Sequence, residues 1–277
     1  MQKVKTKLIF PIFISHVGCP FQCIYCNQYR ITNLSPTYDI RKHCCRLTRE
    51  LLNQASSFVH KHENKHKEIA FFGGSFTCLK KEEMDGYFRQ FDDIIDDKTC
   101  FRISTRPDAI STDILDFLKS NKVNTIELGV QSFSDTELKA SKRGYDSETA
   151  VKSCELIKSH GFNLSVQLLI GLPKAENETY SDTLSKLKEI KPDFVRLYPL
   201  IVLKDTELEG LYRNGEYKPL TVEDAVNICH TFLEECEAND IKVIKVGLHS
   251  DITDESFVAG PYHKNFGEII RKLCNSL

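Results

Sequence analysis

Hydrophobic residues along the 277-residue chain fall into short dense runs separated by longer stretches of helical periodicity. Residues 7–15 (KLIFPIFIS) form the first run, of strand length and rich in aromatic and β-branched side chains. Residues 68–72, 100–105, 125–130, 163–170 and 194–200 are further runs of this kind. Between them, residues 37–64, 80–95, 112–120, 147–160 and 177–190 carry apolar positions at helical spacing and predict amphipathic helices. Strand starts thus recur at roughly the length of a βαβ unit, and helical crossovers pair such strands in parallel. The pattern predicts an α/β fold: a closed or open parallel barrel, or a doubly wound sheet. Each of these gathers ligands at the C-terminal ends of its strands. Gly, Pro, Tyr and charge cluster over residues 202–219, and beyond them lie a helix (222–239), a strand (241–247) and an amphipathic end. Residues 1–200 are therefore expected to form the core, with residues 201–277 packed on it as part of the same domain.

Composition narrows the function classes. Lys plus Arg number 37 against 39 Asp plus Glu, a net charge of −2 that excludes a wholesale electrostatic binder of nucleic acid but not a local basic patch. Apolar runs stay well below the length of a membrane span, and the basic start followed by a short strand-like run is unlike a signal peptide. These features lead to the expectation of a cytoplasmic protein.

Eleven cysteines are too few for a disulfide scaffold. Cys78, Cys100, Cys154, Cys229, Cys236 and Cys274 are scattered and read as buried or surface thiols, and the adjacent Cys44 and Cys45 point apart on a helix. Cys19, Cys23 and Cys26 differ: they share one loop directly after the first strand, at spacings of four and three residues. A structural zinc site takes four ligands, usually as two separated pairs. Here a fourth would have to come from His16, or from His43 and Cys44. Iron–sulfur cluster, zinc and plain thiols all stay open on spacing alone, and a three-thiolate cluster would keep one coordination position vacant for chemistry.

The triplet resembles the Cys-x3-Cys-x2-Cys signature of the radical S-adenosylmethionine (SAM) superfamily, also placed after the first strand of a β/α series. The resemblance implies a partial (β/α)6-type barrel with a small C-terminal extension. It also implies a 4Fe–4S cluster on Cys19, Cys23 and Cys26, with SAM chelated to the free iron. An electron from the reduced cluster then cleaves SAM to a 5′-deoxyadenosyl radical that abstracts a substrate hydrogen, so a donor such as flavodoxin or ferredoxin is implied as partner. Matching family positions assign cofactor contacts to Tyr25, to Gly73, Gly74 and Ser75, and to Gln131, Arg143 and Gln167. Of these, Gln131 falls at the ribose position and Arg143 at the carboxylate position, an arrangement shared with oxygen-independent coproporphyrinogen oxidase. Gln167 and Ser104 stand where relatives often carry acids.

Further stretches resemble the radical SAM domain of the Elongator catalytic subunit: residues 71–77 (FFGGSFT), 105–108 (TRPD), 128–133 (LGVQSF), 171–173 (GLP) and 258–268 (VAGPYHKNFGE). That family modifies the wobble uridine of transfer RNA, which implies an RNA base as substrate. The chain stops soon after Gly267, so a stand-alone protein without the acetyltransferase domain is expected. Arg106, Tyr198, Tyr262 and His263 are candidate substrate residues, and Lys245, His249, Lys264, Arg271 and Lys272 a candidate basic patch. The His-rich run 60–66 reads as a solvated helix end. Two competing readings are a metal-stabilised RNA-binding module without turnover and a porphyrin-type oxidoreductase.

Overall fold

Strands β1 (Leu8–Phe13), β2 (Lys67–Phe72), β3 (Thr99–Thr105), β4 (Val123–Gln131), β5 (Asn163–Ile170) and β6 (Phe194–Pro199) lie side by side in chain order, all parallel. This is a computed structural model that describes residues 8–14, 16–27, 46–248 and 252–274. A two-residue strand β7 (Val202–Leu203) leaves the sheet, β8 (Lys242–Val246) extends it beside β6, and β9 (Phe257–Ala259) pairs antiparallel with β7. The seven-stranded sheet curls into an open half-barrel, the expected fold class. The strand predicted near residue 241 therefore continues the barrel as its seventh member, and does so for the usual βαβ reason: a long helix spans the gap from β6.

Helices α1 (Arg49–Lys61), α2 (Lys81–Arg89), α3 (Thr112–Ser120), α4 (Asp135–Ala140), α5 (Ser147–Ser159) and α6 (Asn177–Ile190) fill the earlier crossovers. Next come α7 (Glu207–Arg213), α8 (Val222–Ala238) and α9 (Phe266–Cys274). Side-chain caps start several of them: Thr48 accepts from Leu51 N at 3.2 Å, Asp146 from Thr149 N at 2.8 Å and Thr221 from Asp224 N at 3.1 Å. The helix predicted to run to residue 95 stops at Arg89, where Gln90 turns back to Gly86 O at 2.7 Å and receives Leu47 N at 2.9 Å. The first part of the helix predicted from residue 37, with His43, Cys44 and Cys45, lies outside the described residues, as does His249. Among the described residues no helix is long and apolar enough to cross a membrane.

The two faces of the sheet differ. On the outer face Ile69, Phe71, Ile103, Ile126, Leu128, Val166, Leu168, Val195 and Leu197 are sealed under the helices. Phe71 stacks on Phe76 and Phe101 with ring centroids 5.1 and 6.0 Å away. The inner face carries many polar residues at the alternate positions, and Glu68, Arg102, Thr125, Glu127 and Ser165 are all buried. Arg102 donates to Glu68 at 2.7 Å and to Glu127 at 2.6 Å, and Thr125 donates to Glu68 at 2.6 Å. These bonds satisfy charges that burial alone would penalise by several kcal/mol each.

Candidate functional site

The cysteine loop is fixed at both ends. At its start Ile14 N donates to Phe72 O at 2.8 Å, His16 N to Gly73 O at 2.9 Å and Ser75 N to Val17 O at 2.9 Å. This backbone-to-backbone contact demands glycine on each side: a Cβ on Gly18 would stand 2.3 Å from Ser75 O, and one on Gly74 2.4 Å from Val17 O. At its end Leu208 N donates to Ile24 O at 2.8 Å and Asn27 Nδ2 to Lys204 O at 3.2 Å.

Between these anchors Cys19, Cys23 and Cys26 line one cavity of about 370 Å³ at the C-terminal ends of the strands. Tyr25, Gly73, Gly74, Ser75, Arg106, Gln131, Arg143, Gln167 and Tyr198 line the same cavity, so residues up to 179 positions apart (19 to 198) meet there. Cys19 Sγ lies 3.5 Å from Ser75 Oγ, and Arg143 donates to Cys23 Sγ at 3.0 Å. Among the described residues no three His, Cys, Asp or Glu side chains stand close enough to hold a single ion. The thiols thus line one space without closing on one point. A cluster that gives each thiolate its own iron asks for wider separation than a lone zinc does.

Arg143 is the hub of this wall. It reaches Cys23, Tyr25 Oη at 3.2 Å, Gly129 O at 2.6 Å and Tyr145 Oη at 2.9 Å. Burial works against its charge, but Tyr145, Tyr25 and Cys23 outweigh that and hold its pKa well above the ordinary guanidinium value. Burial pushes the Cys19 thiol up, offset in part by the Ser75 hydroxyl and by Arg106 and Arg143. Gln131 ends β4 at φ +69°, a left-handed conformation that glutamine rarely adopts, and its Oε1 is buried with no hydrogen-bond partner among the described residues. An unpaired buried carbonyl beside a guanidinium and three thiols is the chemistry of a site that receives a polar ligand. The residues present therefore fit a thiolate-ligated cluster with SAM beside it.

The remaining candidates are placed differently. Arg106 lines the cavity, but its guanidinium is committed to Asp108 and the Arg143 carbonyl and lies over the Phe21 ring at 4.9 Å. It props the tip of the cysteine loop against the wall. Tyr198 accepts from Arg196 at 3.1 Å. Tyr262 and His263 lie outside the first cavity and line an adjoining one, which shares Lys245, Leu248 and Ile252 with it. Tyr262 packs on Phe257 at 5.1 Å, and His263 Nδ1 accepts from Asn265 N at 3.0 Å. Glu127, Arg196 and Tyr145 were not singled out from the sequence. Glu127 and Arg196 are lone charges in apolar strands, and a charge flanked by apolar residues inside a barrel strand is the signal that would have found them.

Residues 13–187 match the model of the radical SAM superfamily and residues 192–275 that of the Radical_SAM C-terminal domain. This chain belongs to the radical SAM superfamily. It is 25% identical over 233 residues to a tRNA uridine(34) acetyltransferase of Methanocaldococcus infernus, covering 76% of this chain and 43% of that protein. A protein of the same name from Methanocaldococcus jannaschii is 30% identical over 173 residues, covering 61% of this chain and 31% of that protein. The chain thus spans less than half the length of either relative. The solved structure of the archaeal Methanocaldococcus infernus Elp3 superposes with a TM-score of 0.73 at 21% identity, covering 97% of this chain and 62% of that one. The fold is therefore shared with this archaeal Elp3.

Proposed function

We propose that this chain is a radical SAM enzyme that acts on a base in RNA, with Cys19, Cys23 and Cys26 holding a 4Fe–4S cluster and SAM lying against Gln131 and Arg143. A cluster held by Cys19, Cys23 and Cys26 would supply the electron for reductive cleavage of the SAM sulfonium and so for hydrogen-atom abstraction. The chain's own residues orient and seal. Arg143 offers a fixed cation beside Cys23, Gln131 an unpaired carbonyl, and Tyr25 a ring on the cavity wall. Leu169, Leu200, Ile201 and Leu203 give the cavity an apolar side that excludes water. The observation that carries the reading is the meeting of the three thiols, Arg143 and Gln131 around one cavity. The RNA substrate rests on the relatives named tRNA uridine(34) acetyltransferases. A one-electron donor, flavodoxin or ferredoxin, is the partner this chemistry needs.

The test is anaerobic reconstitution with iron and sulfide, followed by SAM and dithionite. Equal iron and acid-labile sulfide and the release of 5′-deoxyadenosine are expected, both lost in Cys23→Ala. Iron and product unchanged in that variant would overturn the cluster assignment. Transfer RNA with uridine at the wobble position should speed 5′-deoxyadenosine release relative to the same RNA with cytidine there. Equal rates would remove RNA as the substrate.

A further inference from the structure

The inner face of β6 and β8 holds a pair of cations that the reading above does not use. Arg196 and Lys245 are register partners on these neighbouring parallel strands, and both line the cavity. Like charges directly opposite one another on a sheet are destabilising. The arrangement depends on a register shift. Phe194 pairs with Lys242 and Val195 with Val243, but Arg196 then pairs with Lys245, so Ile244 is an extra residue on β8. Strict alternation would leave Lys245 on the face of Val243, toward the helices. The bulge turns it into the barrel instead, and bulges of this kind re-aim side chains next to active sites.

Neither cation is fully matched. Among the described residues four cations line the cavity, Arg106, Arg143, Arg196 and Lys245, against one carboxylate, Glu127. Arg106 is paired with Asp108, and Arg143 belongs to the cysteine wall. Glu127 Oε1 already receives Arg102 at 2.6 Å. Arg196 Nε lies 3.0 Å from that same oxygen, out of hydrogen-bond alignment, and is buried without a hydrogen-bond partner among the described residues. Lys245 makes no hydrogen bond or ion pair among the described residues. Burial lowers the pKa of its ammonium, with Arg196 and Arg271 adding to the effect. A paired anion would relieve all three strains at once.

We infer that Arg196 and Lys245 form an oxyanion subsite in the substrate end of the cavity, one that takes a carboxylate or a phosphate group of the substrate. The subsite deepens the proposed function and rests on this cavity being the substrate site. Lys245 also borders the adjoining cavity of about 700 Å³, lined by Lys264, Arg271 and the start of α9. The oxyanion therefore sits where the two spaces join.

The experiment titrates reconstituted holoenzyme, saturated with SAM, with inorganic phosphate and separately with acetate, by calorimetry. SAM occupies the Arg143 wall, so the remaining anion binding reports the subsite. Saturable binding of one or both anions is expected, weakened about tenfold in Lys245→Met, the loss of about 1.4 kcal/mol. Lys245→Arg should retain it within about threefold, as should Lys242→Met, a control at the exposed start of the same strand and outside the cavity lining. Tighter phosphate names a phosphoryl group on the substrate, and tighter acetate a carboxylate. Failure of both anions to saturate the parent protein, or equal binding in Lys245→Met, would overturn the subsite. Iron content and 5′-deoxyadenosine release are read on the same samples, so failure of the enzyme reading shows separately.

Discussion

The outer and inner faces of one sheet are built on opposite rules. Outside, Ile69, Phe71, Ile103, Leu128 and Val166 are packed dry under helices. Inside, the intervening positions carry Glu68, Arg102, Thr125, Glu127 and Arg196, and their partners are bonds rather than contacts. A closed β/α barrel fills its interior with branched aliphatics. This half-barrel keeps an open, polar trough instead. Stability and chemistry are thus interleaved residue by residue along each strand. A change at one position and at its neighbour should have different kinds of consequence.

The largest effect tests that contrast directly. Phe71→Ala should cost about 3–5 kcal/mol in urea unfolding, from lost burial plus the cavity it leaves. Arg102→Met should cost about as much, because two buried carboxylates lose their shared cation. Adding Glu68→Leu to Arg102→Met should recover much of that loss, since an apolar pair often replaces a buried ion pair at little cost. No partner change rescues Phe71→Ala in this way. If the double variant is as unstable as Arg102→Met alone, the inner ion pairs are a source of stability and the contrast fails.

A smaller effect is expected at the seam between the faces. Gly74→Ala places a methyl 2.4 Å from Val17 O and 2.8 Å from Ile14 O, both backbone atoms. The barrel should fold, at a cost of about 1–3 kcal/mol. Iron retained after reconstitution should drop several-fold, because the start of the cysteine loop must move. Unchanged iron would show that the loop tolerates the shift. Smaller again is Gln131→Gly, which relieves the left-handed conformation and should raise stability by up to about 1 kcal/mol. SAM affinity should fall in the same variant, read by equilibrium dialysis.

The smallest effect concerns thiols of the outer layer. Burial raises Cys154 and Cys229 to about 12. At about pH 8 only about one such thiol in ten thousand is ionised, and the fraction grows only as pH climbs toward that value. Iodoacetamide should leave both unmodified in the native protein and label both in urea, as peptide mass mapping would show. Native labelling would mean the outer layer is not dry.

Much of this architecture was legible in the sequence, for identifiable reasons. The runs at 163–170 and 194–200 stood out because they are short and densely apolar, and the helix at 177–190 because one face packs on the sheet while the other meets solvent. The Cys19–Cys26 loop stood out because its spacing is local. Gln131 and Arg143 lie more than a hundred residues from the loop, and only the family resemblance linked them to it. Arg196 and Lys245 were harder still. A single charge in an apolar run reads as solvent-facing until the trough is known, and the register shift that turns Lys245 inward leaves no mark in composition. The short α4 and α7 escaped because six or seven residues carry too little periodicity.

The far anchor of the cysteine loop has a practical meaning for anyone who would shorten this protein. Ile24 and Asn27 are tied to Leu208 and Lys204, which follow the sixth strand. A gene trimmed after position 200 would keep Cys19, Cys23 and Cys26 and yet release the hinge side of their loop. The smallest version worth expressing as an iron carrier must therefore retain the β7–α7 stretch, however dispensable it looks on a strand diagram.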